Sequence, residues 1–213
     1  MMTSTRAWLT PVLLLALAPT IAGCGYNAIP TKHERARAAW GDVQSQYQRR
    51  ADLVPNLVAT VQAAAVQERT VLNEVIEARA RATSINVSPE DAAEMARFQQ
   101  SQSELAGALG RLLMVVENYP QLQSNRNFLE LQSQLESAEN RIAIARRDYN
   151  EAVRDYNTEL RTFPGVVWAS TFHGGSEPMQ PFEATEAAQT PPQVNFNLDA
   201  PAADAGQAAS TAP

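Results

Sequence analysis

Between Lys32 and Phe163 the chain has three glycines (Gly41, Gly107, Gly110) and three prolines (Pro55, Pro89, Pro120), and apolar side chains recur every third or fourth residue. That pairing constrains the fold more than any other feature. A period near 3.6 gathers apolar side chains on one face of a helix, whereas a half-buried strand needs strict alternation. Segment one, Lys32 to Thr83, carries Trp40, Val43, Tyr47, Val54, Leu57, Val61, Val71, Val75 and Ala78. Asp52 offers an N-cap and Pro55 sits in the turn after it, so this helix is predicted to kink or split near Asp52–Pro55. Segment two opens on Ser88-Pro89-Glu90-Asp91, read as a Ser cap, a first-turn proline and first-turn acids. Its stripe is Met95, Phe98, Gln102, Leu105, Leu109, Leu112 and Val116, and Tyr119-Pro120 ends it. Segment three runs from near Asn125 to Phe163-Pro164 with a coiled-coil-like stripe: Phe128, Leu131, Leu135, Ala138, Ile142, Ala145, Tyr149, Ala152, Tyr156, Leu160 and Phe163. Short links make successive helices alternate in direction. The predicted fold is all-α, an elongated antiparallel bundle of long helices over 32–163. Gly107 and Gly110 suggest a close helix approach that offsets their low helix propensity.

Both ends differ from this rod. Residues 1–23 hold one early charged side chain, Arg6, then a mostly apolar run from Trp8 to Ala22 and small residues at Ala22-Gly23. That is the layout of a secretory signal, and the run is too short and proline-broken for a comfortable membrane span. Ile21-Ala22-Gly23-Cys24 resembles a bacterial lipobox, in which the cysteine takes the lipid and becomes the first residue of the mature chain. Cys24 is the only cysteine of 213 residues, so no disulfide framework competes for it. Several acyl chains such as palmitate would anchor stably, since each buried methylene contributes about 0.8 kcal/mol. Residues 24–31 form a tether. Gly25 stands where an aspartate would favour retention at an inner membrane, so an outer membrane is the expected destination where there are two. Residues 164–213 are rich in proline and alanine, with five acids and no base, and read as a mostly disordered tail.

Charge and residue type narrow the chemistry. The formal charge is −6, of which −5 belongs to the tail, and the rod is close to neutral, so a nucleic-acid partner is not expected. With two histidines, His33 and His173, and no Glu-x-x-His string, a bundle-type metal centre is not expected either. There is no Gly-x-Ser-x-Gly, phosphate loop or dinucleotide fingerprint. No cofactor and no enzymatic activity are expected. The polar candidates are Asp52 as a cap, and Asn56, Glu117, Asn118, Asn140 and Arg141 as register-fixing contacts or interaction residues. Glu139, Asn140 and Arg141 are placed to bridge to Arg49-Arg50 or to Asn56. Tyr149-Asn150 and Tyr156-Asn157, seven apart, put two tyrosines on one face, either as core with partnered hydroxyls or as a binding stripe.

Several strings resemble those of the LemA family of bacterial envelope proteins. They are Ala39-Trp40-Gly41-Asp42-Val43, Arg49 to Val58, Leu105 to Leu113, Val116-Glu117-Asn118-Tyr119-Pro120, Asn127 to Gln132, Glu139 to Ala143, Arg146 to Asn150 and Asp155-Tyr156-Asn157. The resemblance spans about Tyr26 to Ala184 and implies a long helical bundle, a membrane-linked N-terminus and an outward-facing domain, with no settled biochemical activity. Many members have an N-terminal membrane helix where this chain has a lipobox. The family's closing pattern is loosened here, as Phe172-His173-Gly174 and Pro181-Phe182-Glu183-Ala184. The expected function is a scaffold or interaction protein of the envelope, held to the membrane by lipid on Cys24 and bound to other envelope proteins. The alternatives are a wall- or lipid-directed enzyme or activator, and a structural membrane organiser.

Overall fold

A computed structural model describes residues 25–183, so Cys24, the leader and the chain from residue 184 lie outside the described residues. Every regular element among the described residues is a helix: α1 Ala28–Ala64, α2 Arg69–Ser84, α3 Ala92–Val116, α4 Pro120–Gln123, α5 Arg126–Arg161 and α6 Gly165–Thr171. The all-α expectation holds. α1 (37 residues) and α5 (36 residues) are the long pair, each about 55 Å at ~1.5 Å rise per residue. Lys32, His33, Trp40 and Arg50 on α1 meet Glu159, Tyr156, Tyr149 and Glu139 on α5, so numbers rise along one helix as they fall along the other. None of these helices is long and apolar enough to cross a membrane.

The first helix does not split near Asp52–Pro55. α1 runs through both residues, and the chain turns ten residues later, at 65–68, so segment one becomes α1 plus a separate α2. A proline inside a helix leaves the carbonyl four residues earlier without its partner. Here that carbonyl belongs to Ala51, and Arg79 Nε of α2 donates to it at 2.7 Å. The guanidinium replaces the missing N–H, which lets the helix continue and ties α2 to α1. Asp52 caps nothing; it is exposed and accepts from Gln48 Nε2, one turn back, at 2.8 Å.

Helix α3 starts three residues later than the predicted Ser88 cap. Asp91 is the N-cap, its carboxylate accepting from Ala93 N (2.7 Å) and Glu94 N (3.0 Å), while Ser88-Pro89-Glu90 forms the turn before it. Asn125 caps α5 in the same way, and the helix starts where segment three was expected to begin. Gly107 and Gly110 lie on the exposed side of α3, and a methyl at Gly110 would meet nothing within 4 Å, so they do not mediate close helix packing.

The folded unit runs past Phe163. After α5 come α6 and an extended strap, residues 176–182, whose Met179 and Phe182 are buried. Composition assigns this stretch to the tail, whereas the compact unit ends at Phe182.

The core divides in two. One cluster, Val54 to Ala65 with α2, the second half of α3, Leu122, Phe128 and Leu135, is almost entirely aliphatic. The other gathers Trp40, Tyr47, Phe98, Tyr149, Tyr156, Met179 and Phe182. Between them lies Arg50, 2% exposed, which donates to Glu139 Oε1 (2.6 Å), Gln102 Oε1 (2.8 Å) and the Gln102 carbonyl (3.2 Å). Gln102 Nε2 in turn donates to the Ala82 carbonyl near the end of α2 (3.0 Å), so all four longer helices meet in one polar layer. A buried guanidinium is tolerated only with such partners.

Candidate functional site

The most elaborate polar construction on the molecule is built by the two Tyr-Asn pairs of α5. Seven residues apart, they lie on the same face, two turns from each other. The Asn157 side-chain amide accepts from Met179 N (3.0 Å) and donates to Met179 O (2.8 Å). The Asn150 amide does the same with Phe182, at 2.8 and 3.0 Å. The Tyr156 hydroxyl donates to Glu177 O (3.1 Å) and the Tyr149 hydroxyl to Gln180 O (2.8 Å). Each asparagine thus treats one strap residue as a neighbouring strand would.

The spacing has a metrical cause. Seven helical residues rise ~10.5 Å, and the three residues from Met179 to Phe182 span about 10 Å when extended. A heptad of helix therefore matches three residues of strand. A seventh bond, Gln180 N to Pro89 O (2.8 Å), joins the strap to the turn before α3.

Side chains complete the seat. Phe182 packs among Tyr149 (5.6 Å between ring centroids), Trp40 (5.9 Å), Tyr47 (6.4 Å) and Phe98 (6.4 Å), with the Arg146 guanidinium 4.7 Å from its ring centre. Burial pushes the Tyr149 phenol well above its ordinary value, with the Glu90 carboxylate adding to the effect. Burial also raises Tyr156 and Tyr47. All three hydroxyls stay protonated at neutral pH, as Tyr149 and Tyr156 must to donate to strap carbonyls.

Beside the strap lies an open cleft of about 370 Å³ whose walls include His33, Glu90, Tyr156, His173 and Glu177. Both histidines, distant in sequence, reach this one place. His33 Nε2 is 3.5 Å from Glu90 Oε1. Among the described residues no group of three or more His, Cys, Asp or Glu side chains could hold a metal ion.

The other sequence candidates are not brought together. Asn56, Glu117, Asn118, Asn140 and Arg141 are all exposed. Asn56 and Glu117 each accept a hydrogen bond through the main-chain carbonyl, from Thr60 and Gln123. Arg141 borders a shallow depression with Asp42 and Asp148. The expected bridge from 139–141 to Arg49-Arg50 forms through Glu139 and Arg50 only. Gln102 is the residue that sequence reading passed over, although an amide inside an otherwise apolar stripe was its signal. The spacing of Tyr149-Asn150 and Tyr156-Asn157 marks the face on which both pairs lie, but assigns no role to Asn150 and Asn157.

An all-helical rod with a long helix pair, a polar layer across it and a strap clamped along one helix defines a class of helical-bundle proteins. The chain belongs to the LemA family, which it matches over residues 39–196. It is similar to two magnetosome proteins of Paramagnetospirillum magneticum (strain ATCC 700264 / AMB-1), MamQ 1 and MamQ 2, each 28% identical over 185 residues, covering 78% of this chain and 67% of the relative. Magnetosome protein MamQ of Magnetospirillum gryphiswaldense (strain DSM 6361 / JCM 21280 / NBRC 15271 / MSR-1) is 27% identical over 158 residues, covering 65% of this chain and 58% of the relative.

Proposed function

We propose that this protein is a lipid-anchored scaffold of the bacterial envelope, held on the extracytoplasmic face of a membrane through Cys24 and presenting its helical faces to other envelope proteins. Family membership and the magnetosome relatives support a membrane-associated envelope protein. The observation that carries the anchored reading is where the chain enters the fold. Gly25 packs against the Trp168 indole and α1 begins at Ala28, so the chain is already held against the bundle one residue from Cys24, the only cysteine of the sequence. A lipid on Cys24 would leave almost no slack between membrane and bundle. The long exposed faces of α1 and α5 then supply contact area at a fixed height above the lipid.

The test is Cys24→Ser in the native host. Metabolic labelling with a fatty acid is expected to be lost, and the protein to leave the membrane fraction. Labelling and fractionation equal to wild type would sink the anchored reading. Crosslinked partners recovered from wild type but not from Cys24→Ser would support the scaffold role.

A further inference from the structure

The end of the bundle where the chain enters carries a feature that the core does not use. From Thr162 to Ser176 there is no Asp, Glu, Lys or Arg. Within this uncharged stretch Phe163 is 82% exposed and Phe172 65%, and Val166 and Val167 of α6 also face outwards. Tyr26 adds its ring to the same place, edge-on to Trp168 (6.0 Å) and to Phe172 (5.9 Å). The other exposed large apolar side chains of the described residues, Val66, Ile76, Met114, Leu129 and Ile144, are scattered elsewhere along the rod. Single exposed apolar residues are ordinary; a contiguous aromatic and aliphatic patch calls for a partner.

The patch is held firmly. Trp168 and Phe172 pack at 5.7 Å, and His173 Nε2 lies 3.3 Å from the Tyr26 carbonyl oxygen. Gly165 sits so close to the end of α5 that a methyl there would fall 2.1 Å from the Glu159 carbonyl oxygen. Lys32 pairs with Glu159 just behind it.

We infer that this tip, α6 with Tyr26 and Phe172, is a lipid-contact surface that rests in the membrane interface beside the anchor. The occupant follows from chain continuity. Tyr26 is two residues from Cys24 and four from the end of the apolar run at Ala22. Two residues reach at most about 7 Å, so any membrane attachment through this N-terminus brings the patch to the lipid headgroups. Trp, Tyr and Phe are the side chains that favour that zone, and an apolar face there buries to a depth of ~5–10 Å. Two points of contact, one through the chain and one through α6, would fix the tilt of the rod and not only its distance from the membrane. The inference rests on the anchored reading.

The test uses the full-length protein in its own membrane and a phospholipid bearing a photoactivatable diazirine on its acyl chain near the headgroup. Labelled peptides are identified by mass. Label is expected on the peptide spanning Phe163–Phe172 and to be absent from peptides carrying Val66 and Met114. In Val166→Glu/Val167→Glu, both positions being exposed, label on that peptide is expected to be lost while label on the N-terminal peptide persists. Label on the N-terminal peptide alone in wild type overturns the lipid-contact surface and leaves the anchored reading standing. No label anywhere overturns both. A tip blank to the lipid probe but crosslinked to the same peptide of a second copy assigns the patch to self-association and overturns the inference.

Discussion

On one side of the Arg50 layer the core is Val, Leu and Ala with a single fully buried ring, Phe128; on the other, Trp, Tyr, Phe and Met side chains join the aliphatic ones. The aliphatic half is closed by neighbours in sequence, with α2, α3 and α4 following one another and Tyr119 reaching back to Glu68 at 2.8 Å. The aromatic half is closed by distant segments, α1, α5 and a strap that arrives after α6. Aliphatic side chains stack along helices with few directional demands. Aromatic rings leave gaps unless their edges and faces meet, and buried hydroxyls need acceptors. The strap fills the first need with Phe182 and the second with the carbonyls of Glu177 and Gln180. One half thus completes itself, and the other is incomplete without a piece of chain from outside the long helices.

The strongest way to break this contrast is Phe182→Ala. Loss of about 3–5 kcal/mol is expected in chemical denaturation. Hydrogen exchange is expected to accelerate in α1 around Trp40 and in α5 around Tyr149, with α2 changing far less. Equal acceleration in both halves would mean that they form one cooperative core.

The layer between them is probed next. Glu139→Ala leaves the guanidinium of Arg50 buried without its counter-charge and is expected to destabilise by ~3 kcal/mol. Arg50→Met leaves Glu139, half-exposed, able to hydrate, and strands chiefly the Gln102 carboxamide oxygen, for about 1–2 kcal/mol. The reverse order in thermal melts would show that the layer acts by filling space rather than by pairing charge.

A smaller effect tests the aliphatic half. Arg79→Ala is expected to cost about 1 kcal/mol, the loss of one hydrogen bond to the Ala51 carbonyl. In a Pro55→Ala background the residue-55 N–H returns to that carbonyl, and the cost of Arg79→Ala is expected to fall to a few tenths. An undiminished cost in the double-mutant cycle would separate Arg79 from the proline.

The mildest perturbation is pH. The buried phenols titrate above the ordinary 10.0, so their contribution is complete below pH 10. It is lost as pH rises through the folded values, because the unfolded chain ionises first. The aromatic half is therefore expected to loosen first at alkaline pH, followed by tyrosinate absorbance at 295 nm. Tyr149 and Tyr156 titrating freely near 10 in the folded protein would contradict the clamp.

Much of the rod was legible because periodicity reports burial directly. Each of the seven residues of the α3 stripe, Met95 to Val116, is buried. The failures are equally physical. The turn after α1 contains no glycine, proline or capping side chain bond, so nothing local marks it, whereas Pro55 marks a break that Arg79 repairs from another helix. Phe163 fits the α5 stripe but is the most exposed of the large apolar side chains among the described residues, since α5 ends at Arg161 and the period no longer applies. The clamp was half visible. Two tyrosines on one face could be read from their spacing, but not that the asparagines beside them would bind the chain's own backbone.

The strap contains Pro178 and Pro181, which have no N–H to offer. The N–H groups that the bundle engages are those of Met179, Gln180 and Phe182. Prolines therefore stand where no donor is required, and their fixed φ stretches the peptide before it docks. Much of the ordering entropy is removed in advance. The closing segment reaches the groove already close to its bound shape, so a short piece of chain with two buried side chains can complete half of a core.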